Sequence, residues 1–160
     1  MTVKALGEGS RRLQSVRLGT WVLAEGPYGA LTARRRKQRA VLLIAGGIGI
    51  TPMRALFGTI DVPGEQLTLL YRASSEADVV FRGELDEIAR RRGARIMYLI
   101  GPSSDPANAL TSDTLARLIP GLPEHDVLLC ASPGLSRAIR RALLGAGLPR
   151  GQLHEEEFSF

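Results

Sequence analysis

Ala40-Val41-Leu42-Leu43-Ile44-Ala45-Gly46-Gly47-Ile48-Gly49-Ile50-Thr51-Pro52 is an apolar run that passes into a glycine-rich loop ending in Thr-Pro. The order reads strand, tight turn, helix start. From Val41 to Ile44 the residues are β-branched or leucine without alternation, the pattern of a parallel strand covered on both faces. Thr51 is expected to cap the helix and Pro52 to take its first position, where the missing N–H costs nothing. Gly46, Gly47 and Gly49 free the backbone to turn and to let a ligand come close. The helix that follows points unpaired N–H groups and its positive dipole end at the loop. An anion, most simply a pyrophosphate, suits such a place.

Working outward from residue 40, apolar runs alternate with helical patterns, the signature of an α/β sheet. Strands are predicted at 41–45, 67–72, 95–100 and 126–131, with a short last one near 152–157. Helices are predicted at 52–60, 79–92, 112–118 and 134–146. The second puts Val80, Leu85 and Ile88 on one face and ends in Arg90-Arg91-Arg92-Gly93, where cations and a terminating glycine belong. Ahead of residue 40 lie two short strand candidates, 3–6 and 21–24, with Ser10 able to cap a helical turn between them. Two strands cannot close a core alone. Residues 1–33 therefore read as the end of another domain, joined by a basic linker (34–39) to a domain over 40–160.

The loop's Gly47-x-Gly49-x-x-Pro52 departs from the dinucleotide fingerprint G-x-G-x-x-G in its last position, and a turn with no ligand is the bland alternative. A phosphate loop of the Gly-Lys-Ser/Thr type is excluded. Where NAD-specific sheets place a carboxylate after the second strand, this chain has Tyr71-Arg72-Ala73-Ser74-Ser75. Arg72 and Ser74 could hold a 2′-phosphate, which favours NADP over NAD, although Glu76 is near enough to play the opposite role. The bland alternative makes Arg72 an exposed strand-end charge and Ser75 a cap. Cys130 closes the fourth strand; it is either a small core residue or part of the ligand edge of the sheet.

Lys and Arg number 21 against 16 Asp and Glu, a formal net charge of +5. That excess fits an acidic partner, an anionic membrane surface or simply an arginine-rich background. Nucleic acid is not expected, because the basic clusters lack interleaved aromatics. The two histidines have no metal-ligand spacing, so no metal site is expected. One cysteine excludes an internal disulfide and fits a reducing compartment. With no signal peptide and no apolar stretch long enough for a bilayer, the expected location is the cytoplasm, or the cytoplasmic face of a membrane.

Taken together, the segments resemble the ferredoxin–NADP reductase superfamily, in particular its ferric-reductase-like and flavodoxin/ferredoxin reductase branch. Gly7-x-x-Ser10-x-x-Leu13 is similar to a motif that sits on the FAD pyrophosphate. Ala45-Gly46-Gly47-Ile48-Gly49-Ile50-Thr51-Pro52 is similar to the pyridine-nucleotide loop, with Thr51 by the nicotinamide. Leu70-Tyr71-Arg72 with Phe81-Arg82-Gly83-Glu84-Leu85 resembles the strand and helix that hold the adenosine ribose. His154-x-Glu156-x-Phe158-x-Phe160 resembles the terminal segment that reaches back to the flavin.

The resemblance implies a five-stranded parallel Rossmann-like sheet in the order 3-2-1-4-5, preceded by a β remnant of a flavin-binding barrel. It implies hydride transfer from NAD(P)H to FAD and single-electron transfer to an iron–sulfur, haem or ferric acceptor. Gly46, Gly47, Gly49, Ile50, Thr51, Pro52, Tyr71, Arg72, Ser74, Cys130, Pro133 and Gly134 would hold the nucleotide. Gly7, Ser10, Phe158 and Phe160 would hold FAD, and Cys130, Glu156 and Thr51 would serve the transfer.

Two departures stand out. Cys130-Ala131-Ser132-Pro133-Gly134-Leu135 replaces the family's Cys-Gly-Pro-Pro-Gly-Met, so a methyl group is expected where nicotinamide and backbone approach. The first flavin motif is absent, so FAD is not expected to be retained. The partners implied are a flavin-binding domain in cis or trans and an acceptor protein or haem membrane domain. The alternative is a non-catalytic nucleotide-binding or interaction module left by truncation.

Overall fold

The computed structural model describes residues 7–21, 23, 38–102 and 105–157. Contacts divide the chain into two units, Met1–Ala30 and Leu31–Phe160. In the first, α1 (Glu8–Gln14) is the one described element. Its N-cap is Gly7, and Ser10 sits inside the helix rather than at its start. The Ser10 hydroxyl accepts from the Gly7 N–H and donates to the Gly7 carbonyl, both at 3.0 Å. The strand candidate at 3–6 lies outside the described residues. At 21–24 only Trp21 and Leu23 are described, both outside any strand and fully exposed.

The second unit alternates strand and helix: β1 (Ala40–Gly46), α2 (Ile50–Thr59), β2 (Leu67–Ala73), α3 (Arg82–Arg92), β3 (Arg95–Ile100), α4 (Ser112–Leu118), β4 (His125–Ala131), α5 (Pro133–Gly145) and β5 (Leu153–Glu157). The strands are all parallel, in the order β3-β2-β1-β4-β5. This is the expected five-stranded α/β sheet. Strand alternation divides the core in two, because successive side chains point to opposite faces. Val41, Leu43 and Ala45 pack with Met53 and Phe57 of α2 and Leu85 and Ile88 of α3. Leu42 and Ile44 pack with Leu115 of α4 and Ile139 and Leu143 of α5. The unbroken apolar run of β1 thus fills both layers.

Two expected helix starts move. α2 begins at Ile50, because Gly47–Gly49 winds into a 3-10 turn that leads straight into it. Gly49 is the N-cap, Thr51 lies in the first turn without a capping role, and Pro52 falls at the third position, where its missing N–H still costs nothing. α3 begins at Arg82 rather than near 79, because Phe81 adopts a left-handed conformation (φ 63°). Val80 therefore lies outside the helix, and its N–H donates to the Tyr71 hydroxyl at 3.4 Å. At the far end of α3, Arg92 donates to the carbonyls of Phe57, Ile60 and Val62 at 2.6, 2.6 and 2.8 Å, closing the last turn of α2.

Candidate functional site

Ligands of open parallel sheets bind along the carboxyl ends of the strands, where the connections diverge. Here β1 and β2 leave in one direction and β4 and β5 in the other, so the edge opens above β1. The Gly47–Gly49 turn sits there. Gly47 takes a positive φ of 55° and faces open space. Gly49 is pressed onto β4: a Cβ there would stand 2.0 Å from the Cys130 carbonyl oxygen. Only a residue without a side chain lets the turn lie on that strand, and the contact brings Cys130 against the loop.

Cys130 and Glu156 occupy paired rungs of β4 and β5. Cys130 is fully buried, and burial first and the Glu156 carboxylate second push its thiol up to about 12. At neutral pH it is a neutral thiol, so neither a thiolate nucleophile nor a metal ligand. Thr51 Oγ1 is buried with no hydrogen-bond partner. An unpartnered buried hydroxyl costs about 1–3 kcal/mol, and its place beside an open glycine turn points to a polar partner from outside the chain. Pro133 opens α5 after Ser132, with Gly134 exposed beside it and facing open space.

The β2 end is arranged differently from expectation. Arg72 is buried (5% exposed), and its guanidinium donates to the carbonyls of Ala73 and Leu99. It is not an exposed strand-end charge, because its guanidinium is held by backbone carbonyls at the ends of β2 and β3. Tyr71 is buried, with its hydroxyl donating to the Asp78 carbonyl at 3.1 Å. Ser74 is exposed, and Ser75 donates to Asp78 at 2.8 Å. Sequence reasoning missed a cluster bridging α2 and α3: Arg54 pairs with Glu84 and lies over the Phe81 ring at 5.5 Å. Arg82 stacks on Tyr98 at 4.3 Å while pairing with Glu76 at 2.6 Å. Arg54 and Glu84 are thirty residues apart in sequence, and no periodicity links them.

The expected methyl at Ala131 is also misplaced. Ala131 is 1% exposed and belongs to the core beneath α5, where its Cβ fills the space beside Gly46. It does not stand in the edge.

Residues 43–141 match the family model described as an oxidoreductase NAD-binding domain. The chain belongs to this family. The match takes in the glycine turn, the β2 end, Cys130, Pro133 and Gly134, while Glu156 lies beyond it. Over its whole length the chain is 26% identical to an NADH-cytochrome b5 reductase 1 of Ajellomyces capsulatus, of which it covers 58%. Among solved structures, the FAD/NAD-binding domain of a Vibrio cholerae nitric oxide dioxygenase is 25% identical, with a TM-score of 0.66 over 84% of this chain and 55% of that one. The cytochrome b5 reductase domain of Ulva prolifera nitrate reductase shares the fold at 23% identity, with a TM-score of 0.70 over 94% of this chain and 66% of that one. The chain thus spans somewhat over half the length of the curated relatives it matches.

The carboxyl edge fits a pyridine nucleotide: an open glycine turn leading into α2 and the buried Thr51 hydroxyl in want of a partner. Of the residues expected to hold FAD, Ser10 exchanges hydrogen bonds with the Gly7 backbone, and Phe158 and Phe160 lie outside the described residues. No cluster of potential metal ligands occurs among the described residues, and no described helix is long and apolar enough to cross a membrane.

Proposed function

We propose that the chain is the pyridine-nucleotide half of a flavin-dependent reductase, completed by a flavin-binding barrel in cis or in trans and passing electrons to an iron–sulfur, haem or ferric acceptor. The nucleotide supplies the hydride when bound; the protein supplies position and electrostatics. The Gly46–Gly49 turn and the N-terminus of α2 would receive its pyrophosphate. Ser74 and the β2 end would receive the adenosine ribose, and Thr51, Cys130, Pro133 and Gly134 would border the nicotinamide. Thr51 donates or accepts one hydrogen bond that fixes the ring's orientation. Cys130, fully buried, would support the turn through its backbone. Glu156, on the rung beside Cys130, would set a carboxylate near the nicotinamide and stabilise positive charge there.

NADH is the preferred coenzyme in this reading. Arg72 is engaged by two backbone carbonyls, and Arg82 is paired with Glu76, so little unspent cation faces a 2′-phosphate. Glu76, exposed at the β2 end, suits a ribose diol. The Ajellomyces relative is likewise named for NADH.

One observation carries the proposal: the orphaned Thr51 hydroxyl beneath a glycine turn seated on Cys130. Calorimetric titration of the chain with NADH and NADPH tests it. Saturable binding with NADH the tighter ligand is expected. Absence of binding by both at millimolar concentration would overturn the nucleotide role, and tighter NADPH binding would reverse the coenzyme preference.

A further inference from the structure

On α5, Arg137, Arg140, Arg141 and Leu144 fall at i, i+3, i+4 and i+7 and therefore share one face. It is the outer face: Ser136, Ile139, Ala142 and Leu143 are buried on the other side. Alongside runs a groove of about 220 Å³ lined by Arg140, Leu144, Arg150, Leu153 and Glu155. Arg140 pairs with Glu155. Among the described residues, no carboxylate reaches Arg137, Arg141 or Arg150. Most arginines around α3 are matched: Arg54 by Glu84, Arg82 by Glu76, Arg90 by Glu87, Arg92 by three carbonyls. Arg137, Arg141 and Arg150 are thus three exposed cations, unpaired among the described residues, on and just beyond α5. Inside the groove, Glu155 Oε1 is buried and lacks a hydrogen-bond partner.

We propose that the α5–β5 groove docks an acidic segment of a partner protein. Carboxylates of the segment meet Arg150 in the groove and Arg137 and Arg141 on the adjoining face of α5, and an apolar side chain enters between Leu144 and Leu153. Charge complementarity selects an anionic partner. The concave shape and the mixed donor and acceptor lining select protein over lipid, since a membrane-binding helix presents large apolar side chains outward and α5 presents arginines. α5 runs from the carboxyl edge at Pro133 back to the amino edge, and Arg150 and Leu153 stand where β5 begins. The docked segment is therefore displaced from the glycine turn, and its role is tethering rather than electron delivery.

A fluorescein-labelled peptide of alternating Glu and Leu, followed by anisotropy, tests the groove. The peptide is expected to bind and to weaken as salt rises. The Arg137→Ala/Arg141→Ala double variant and Arg150→Ala are each expected to lose at least about fivefold in affinity. Arg91→Ala, which removes an exposed arginine from α3 instead, is expected to bind as the parent does. All four side chains are exposed, so the fold is retained, and circular dichroism checks this. Equal affinity across the variants would overturn the proposal. So would absence of peptide binding, with or without adsorption to equimolar phosphatidylcholine–phosphatidylserine vesicles.

Discussion

Around Asp126, at the amino end of the sheet, buried polar groups are matched within the chain, whereas at the carboxyl end the buried Thr51 hydroxyl is left without a partner. Asp126, fully buried at the start of β4, accepts from the Gln38 N–H and pairs with His154 Nε2 at 3.2 Å. Gln152 donates to the carbonyls of Pro123 and His125 at 2.9 and 2.7 Å. His125 Nδ1 meets the Gly121 carbonyl at 2.9 Å. Across the sheet, Thr51 Oγ1 has no such partner, and Gly47 and Gly134 face open space. A folded chain tolerates an unmatched buried group where something else supplies the match. The Asp126 network thus ties the amino ends of β4 and β5 together, and the proposed nucleotide site lies at the carboxyl end. Substitutions at the two ends should separate stability from binding.

The largest effect is expected where both functions meet. Gly49→Ala would drive a Cβ into the Cys130 carbonyl, with backbone on both sides of the clash. A loss of about 3 kcal/mol or more in unfolding free energy is expected, with nucleotide binding abolished. Denaturant unfolding and calorimetry check this, and a variant with parental stability and affinity would show that the turn does not rest on β4.

Asp126→Ala acts at the amino end alone. It strips acceptors from Gln38 and His154, at an expected cost of about 3 kcal/mol, with no change in nucleotide affinity once the protein is folded. A parallel loss of affinity would break the separation between the ends.

Much of the sheet was legible. The strand positions follow from apolar runs alternating with helical patterns, and the order came with the resemblance, whereas the division of the core into two layers appears only in the structure. What the residues did not disclose are partnerships formed across the fold. Arg72 looked available because a strand-end arginine gives no sign in sequence that it will fold back on the carbonyls of its neighbour Ala73 and of Leu99 on the adjacent strand. Ala131 looked like an intrusion into the edge, but the pleat turns its methyl into the core beside Gly46. Thr51 looked like a cap because Thr-Pro usually opens a helix, and the glycines began the helix ahead of it.

Cys130 belongs to the carboxyl end but is expected to report on stability through pH. Its thiol is pushed up to about 12, chiefly by burial. In the unfolded chain it ionises near 8.5–9. The folded pKa being the higher, the contribution is fully present below about pH 8.5 and is lost as pH rises towards 12. Between about pH 8 and about pH 10.5 the parent should lose about 2 kcal/mol more than Cys130→Ala. Tyr71, whose phenol is also raised by burial, leaves a residual slope in both proteins. Urea midpoints at the two pH values measure the difference, and identical slopes would mean that the thiol is already accessible.

Thr51→Val gives the smallest change and the sharpest separation of the two ends. The substitution keeps the shape of the side chain and removes only the hydroxyl, whose oxygen has no partner within the chain. Stability should therefore hold or rise by up to about 1 kcal/mol, because an unmet desolvation cost disappears. Nucleotide affinity should fall about five- to tenfold, the worth of one hydrogen bond made only with the ligand. The opposite signs are the point. A hydroxyl with a hidden structural partner would lower stability when removed, and one with no role at either level would leave affinity unchanged. Only a group held ready for a ligand moves the two measurements apart.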